Sequence, residues 1–276
     1  MTAFNDFIAA HEPLLRIGCF VFMLVAMMGA EALWPRRGDQ ARVRRWPHNA
    51  ALVVIDTLAV RAFAWILPAF LPVAAAVLAS DRGWGLFPMI GLDGWPAFWL
   101  ALILFDLAIY AQHVAVHHIP VLWRLHRVHH SDMAIDASTG VRFHPLEILL
   151  SIVIKVGLVL ALGVPAAAVV VFEVVLNASS IFNHANLRLP AWADAALRRL
   201  IVTPDMHRVH HSVHRDETDS NFGFNLSIWD RLFGTYRAQP RDGHDAMDIG
   251  QPGFRDPAKL GFLRLLTQPF GRGPSG

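Results

Sequence analysis

The hexapeptide HRVHHS occurs twice, at residues 126–131 and 207–212, and no other feature of the chain narrows the possible folds as sharply. On a helix, imidazoles at i, i+3 and i+4 stand on or near one face, which is metal-ligand spacing. Upstream, His113 and His117 are four apart and follow the same rule. These residues lie at the end of an apolar run, so the stretch 106–131 reads as a metal site at a membrane surface.

Composition agrees with a bilayer as solvent. Only 17% of the 276 residues are charged and 54% are hydrophobic, whereas soluble domains carry roughly 25% charged residues. The formal net charge is +2, with no basic stripe interleaved with exposed aromatics, which argues against a nucleic-acid partner. Cys19, the single cysteine, sits in an apolar run and reads as a packing residue.

Along the chain, residues 14–34 form a retained anchor long enough to span the hydrocarbon. The loop that follows holds Arg36, Arg37, Arg42, Arg44 and Arg45 and belongs in the cytoplasm by the positive-inside tendency. Residues 50–79 would make a helix of ~45 Å, so that stretch is expected to tilt or to kink near Pro68 and Pro72. Asp56 and Arg61 interrupt it and read as a pair facing the bundle interior. A span at 95–115 returns the chain to the inner face with His113 and His117. The apolar run from 146 to about 182 is broken at Gly163 and Pro165, so it reads as a hairpin that brings His184 back to the same side. From Arg188 the chain is polar enough to form a cap, and 257–270 is either a membrane-surface amphipathic helix or a segment packed on that cap. The expected fold is an all-α integral membrane bundle of about four to five transmembrane helices under a cytosolic histidine-rich helical cap.

Nine of the fifteen histidines are candidate ligands: His113, His117, His126, His129, His130, His184, His207, His210 and His211. Imidazole suits zinc, copper, iron or nickel, and a single zinc centre takes three or four protein ligands, so nine candidates fit two ions better than one. Carboxylate-rich di-iron bundles use Glu-x-x-His pairs, and none lies near these boxes. Ligand rings need acceptors for their second N–H. Asp106, seven residues before His113 and on about the same helix face, is the first candidate, with Asp205, Glu147, Asn177 and Asp230 behind it. His118 points about 100° away from His117, and His144 either orients a ligand or caps the next helix. His11, His48 and His244 read as ordinary surface or interface residues, and His214 stays open.

Together, DLAIYAQHVAVHH, LWRLHRVHHS, RFHPLE, FNHANLRLP, TPDMHRVHHS and NFGFNLSIWDRLFGTY resemble the fatty acid hydroxylase and sterol desaturase superfamily over residues 95–237. The resemblance implies a membrane enzyme with two non-haem iron ions on the cytosolic side, O2 as co-substrate, and hydroxylation or desaturation of a lipid C–H bond. It implies the nine grouped histidines as ligands and a separate electron donor, ferredoxin- or cytochrome b5-like. It divides the chain into an N-terminal anchor region at 1–94, a catalytic domain at 95–237 and a tail at 238–276. Trp99, Phe105 and Phe172 become candidates for a substrate groove. Two departures stand out: Ala111-Gln112-His113-Val114 replaces the Trp-x-His-Arg of many members, and Ser180 stands where some carry a further histidine. The residues alone leave open a metal- or haem-binding electron carrier and a zinc-dependent membrane hydrolase.

Overall fold

Proline and glycine punctuate the apolar runs, and the helices begin and end there. In a computed structural model, which describes residues 1–38 and 41–271, the chain is helical with no strand among the described residues. In order come α1 (Thr2–Leu33), α2 (Arg42–Ile66), α3 (Pro72–Arg82), α4 (Leu86–Met89), α5 (Gly94–His118), α6 (Pro120–His130), α7 (Pro145–Leu162), α8 (Ala166–His184), α9 (Ala191–Leu197) and α10 (Pro204–His210). Short helical turns complete the chain. Helices α1, α2, α5, α7 and α8 are each long and apolar enough to cross a membrane, so this is a multi-pass membrane protein.

The long second stretch breaks where the prolines require it. Leu67 and Leu71, each preceding a proline, leave the helical region, and a 3-10 turn at Pro68–Phe70 separates α2 from α3. The hairpin of α7 and α8 turns at Gly163, which has φ +69° and could not readily carry a side chain. A Cβ on neighbouring Gly85 would lie 2.2 Å from the Gly163 nitrogen, so the loop after α3 seals the hairpin tip by backbone contact. Around this hairpin, Ala75, Ala76, Ala101, Ala167 and Ala168 are buried and let the helices approach closely. Phe105 and Phe172 stack at 5.1 Å inside that core, and Trp99 faces outward, so these aromatics pack or anchor and do not line a groove.

Asp56 and Arg61 do not pair. Five residues along a helix place them about 140° apart; Arg61 is exposed, while Asp56 is buried with Oδ1 unpartnered among the described residues. The tail 257–270 is interrupted at Pro257, Gly261 and Pro269 and packs on the cap, with Leu260 and Leu265 buried beside Leu52 and Val128.

A buried ionic cluster fastens the membrane helices to the cap. Arg45 grips Asp132 through two bonds of 2.6 and 2.7 Å, and it also reaches Asp136 at 2.7 Å and Thr139 at 2.9 Å. Glu31 accepts the backbone N–H of Ala137 and of Asn186, both at 2.7 Å. Arg45 is therefore a structural centre rather than one more basic residue of the loop. Burial would raise the Asp132 carboxyl, but Arg45 and Arg142 outweigh it and hold the pKa down to about 2.

Two outcomes follow from this cluster. Arg45→Met leaves buried carboxylates unpaired and is expected to cost about 3–5 kcal/mol, on the order of 10 °C in melting temperature. An unchanged thermal midpoint in detergent would contradict it. Because the Asp132 pKa is lower folded than unfolded, its contribution is complete above about pH 4 and vanishes as pH falls through about 2. The stability gap between wild type and Asp132→Asn should accordingly stay level near neutrality and close only in that acid window.

Candidate metal centre

Pro120 sets the geometry of the site. It confines Ile119 to an extended conformation, ends α5, and starts α6 at its first position, so the two helices meet at a tight corner. His113 and His117 on α5 then face His126 and His130 on α6. Helix α10 is started by Pro204, is capped by Thr203 Oγ1 accepting from Met206 N, and brings its histidines against both.

All nine grouped histidines come together, in two sets. The nitrogens of His113, His117, His126, His130 and His210 lie within 4.8 Å of one another, and so do those of His129, His184, His207 and His211. All nine are buried. The repeated hexapeptide divides reciprocally: the first sends its i, i+4 pair, His126 and His130, to the five-membered set and His129 to the other. The second sends His207 and His211 to the four-membered set and His210 across. Each box thus contributes to both sets.

The ring hydrogen bonds fix the tautomers. Nδ1 of His113 donates to Phe222 O at 2.7 Å, and that of His210 to Ser220 O at 2.7 Å. His129 donates to Arg142 O at 3.1 Å and His184 to Ser180 O at 2.6 Å. Carboxylates take the rings of His126, through Glu147 Oε1 at 2.6 Å, and of His117, through Asp219 Oδ1 at 3.3 Å. His129 also lies flat on Phe143, 4.7 Å away and 5° from parallel.

The remaining nitrogens have nothing to bond. Nε2 of all five members of the first set is buried without a partner among the described residues, as are Nδ1 of His207 and both nitrogens of His211. In the second set, His184 Nε2 stands 3.0 Å from the Nε2 atoms of both His129 and His207. With Nδ1 of His129 and His184 already donating, two lone pairs face each other there, which is repulsive unless a cation sits between them. Ligand nitrogens about 2.1 Å from a shared ion stand roughly 3 to 4 Å apart, so both sets fit a metal. Burial, followed by the neighbouring rings, pushes His129, His130, His207 and His211 well below the ordinary imidazole pKa, and His210 down to about 3. The rings are held neutral, as ligands must be.

Sequence reasoning placed the acids less well. Asp106 touches no imidazole: its Oδ2 accepts from Leu226 N at 3.1 Å and Trp229 Nε1 at 2.8 Å. Seven residues amount to ~10 Å along a helix, too far for a carboxylate to reach His113. Asp230 acts at one remove, accepting from Phe222 N and Gly223 N and so placing the carbonyl that holds His113. Asp205 is taken by Arg36 and Arg208, while Asn177 lines a cavity beside the site. His144 caps α7 through Leu146 N, and His118 bonds its own helix. His214 pairs with Asp242, and His244 is buried near Asp205 rather than at the surface. Ser180 carries no imidazole to either set: it donates to Gly140 O at 2.6 Å and borders the cavity that Asn177 lines. Asp219 and the carbonyl acceptors went unseen, the latter because a backbone oxygen has no sequence signature.

From this centre a cavity of about 850 Å³ runs among α1, α2, α5, α7 and α8. His113 and His126 border it together with Phe143 and Phe224, and Ile109, Ile152 and Leu176 contribute apolar wall.

A membrane bundle with two buried histidine sets beside a cavity of about 850 Å³ defines the class, and comparison with known proteins agrees. Residues 98–235 match the model of the family described as fatty acid hydroxylase, and the chain belongs to that family. It is 32% identical over 183 residues to an ornithine lipid hydroxylase of Rhizobium tropici, covering 65% of this chain and 53% of that protein. It is 29% identical to the alkylglycerol monooxygenase of Homo sapiens, over 52% of this chain and 32% of the relative. With the cholesterol 25-hydroxylase of Rattus norvegicus it shares 30% over 51% and 47%. The matched region spans about half the length of these relatives or less. No solved structure matches.

Glu147→Ala removes the acceptor of the His126 ring, and metal affinity is expected to fall about 10- to 100-fold. An undiminished affinity in a folded variant would show that the ring needs no such support.

Proposed function

We propose that this chain is a membrane-bound di-iron oxygenase that hydroxylates, or desaturates, an alkyl C–H bond of a lipid. The observation that carries the reading is the set of buried imidazole nitrogens that face one another with no hydrogen-bond partner. His113, His117, His126, His130 and His210 would hold one iron, and His129, His184, His207 and His211 the other. When bound, the irons supply the reduction of O2: in hydroxylation one oxygen atom enters the C–H bond and the other leaves as water, with two electrons and two protons from outside.

The protein's own part is placement and exclusion. Phe143 and Phe224 flank the entrance to the centre and keep water from the target carbon. Glu147 spends Oε1 on His126 and so orients that ring, with Oε2 buried and unpartnered among the described residues at the cavity wall. Residues 95–237 carry the chemistry, 1–94 wall the cavity, and 238–276 close the cap. Arg36, Arg37 and Arg44 beside the cap favour a cytoplasmic position for the histidines, within reach of a separate ferredoxin- or cytochrome b5-like electron donor. Hydroxylation is favoured over desaturation because the relatives are named as hydroxylases and monooxygenases. Five rings crowd the volume that a porphyrin plane would need, which counts against a haem carrier.

The test is labelled O2 given to reduced, iron-loaded protein with membrane lipid. The label should appear in the lipid, and His129→Ala should abolish it; label arriving from water instead, or full turnover in that variant, overturns the reading. The doubles His113→Ala/His210→Ala and His184→Ala/His211→Ala each strip one set, so bound iron should drop from about two to about one per chain in both. Loss of both ions in either variant would mean that the sets do not bind independently.

A further inference from the structure

At the far end of the cavity the wall becomes charged, deep within the membrane bundle. Arg16 on α1 donates to Glu173 on α8 at 2.7 Å and to Glu12 at 2.9 Å, and Lys155 on α7 bonds the other oxygen of Glu173. All four residues line the cavity. Ionisable groups at such depth are costly, and they mark substrate or ion pathways. One carboxylate with both oxygens occupied does not need two cations to hold three helices. Lys155 has used one of its three donors, and Arg16 Nη1 makes no bond among the described residues. On the same cavity wall Asp56, only 9% exposed, has an oxygen with no partner among the described residues. A plain hydrocarbon would leave all of these unmet.

The geometry points to a head-group recognition site: Arg16 and Lys155 bind an acceptor oxygen on the lipid, a carboxylate or an acyl carbonyl, and so measure out which carbon faces the histidines. This rests on the oxygenase reading for the word substrate, but not for binding. Lys155 lies eight residues along α7 from Glu147, ~12 Å, and Glu173 eleven residues along α8 from His184, ~16 Å. An extended chain advances about 1.2 Å per bond, so the oxidised carbon should fall roughly ten to thirteen bonds from that oxygen-bearing group.

The full-length, iron-loaded protein in detergent would be given a long-chain fatty acid, its methyl ester and the matching alkane, and binding would be measured without reductant. Wild type should bind the acid or the ester more tightly than the alkane, and which of the two is preferred identifies carboxylate or carbonyl. Lys155→Met should lose about tenfold of that preference, and Lys155→Arg should restore it, with bound iron and thermal midpoint unchanged. Equal binding of the alkane by wild type, or a preference that survives in Lys155→Met, overturns the proposal and reduces the cluster to a staple between helices. Should Lys155→Met fold poorly, wild type with acyl chains of increasing length decides. A site of oxidation that keeps its distance from the polar group supports the inference, and one that keeps its distance from the methyl end refutes it. Head-group preference without any O2-dependent product would sink the oxygenase reading and leave this one standing.

Discussion

The structure depends on a debt of unmade hydrogen bonds. Eight ring nitrogens are buried among His113, His117, His126, His130, His207, His210 and His211 with no partner among the described residues. Each such group costs about 1–3 kcal/mol, so together they match the whole net stability of an ordinary domain, about 5–15 kcal/mol. A chain assembled for packing alone would not concentrate this cost in one place. The surrounding bonds are arranged to keep it there: in six of the nine rings the second nitrogen is committed to a carbonyl or carboxylate, which points the free lone pair inward. The Arg45 and Glu31 contacts then hold the cap on the membrane helices so that the rings cannot swing out to water.

Reciprocity between the two hexapeptides explains why both are needed and why they are alike. A helix with imidazoles at i, i+3 and i+4 presents a pair in line and a third ring turned aside. Two such helices, α6 and α10, can each complete the other's set by crossing that third ring over, as His129 and His210 do. The sets are therefore coupled mechanically through the helices even though no ring belongs to both.

Much of this was legible. The hexapeptides and the HVAVH pair could be named from spacing, and the breaks at Pro68, Pro72 and Gly163 from backbone chemistry, because local rules govern both; His184 came from the hairpin and the family resemblance. What stayed hidden was non-local. The partition into five and four cannot be read from spacing, since it depends on how α10 meets α6. Asp106 was chosen for its helix face, and the choice failed on axial distance; its carboxylate instead pins the segment around Trp229. Asp56 and Arg61 looked like a pair because both are charged in an apolar run, yet their angular separation on α2 leaves Asp56 buried and Arg61 exposed although both border the cavity. Phe105 and Phe172 meet in the core for the same reason that made them candidates for a groove, namely that they are large, apolar and buried.

The histidines and the cavity walls are supplied by different parts of the chain. The segment that matches the family, residues 98–235, contains every one of the nine histidines together with Glu147, Asp219 and Asp230. It does not contain Arg16, Asp56 or the other α1 and α2 residues that complete the cavity, nor Arg45 and Glu31, which clamp the cap. The histidines are thus held by a segment whose geometry tolerates little change, since six of the nine rings have a fixed carbonyl or carboxylate acceptor. The walls beyond it are free to vary so long as they stay apolar outside and close the bundle. Lys155 and Glu173 sit on the shared helices but depend on Arg16 for their third partner, so a change in α1 alone would redraw the polar end of the cavity without disturbing a single ligand. What the cavity admits is therefore set in part by the helices before residue 98, which supply none of the ring acceptors.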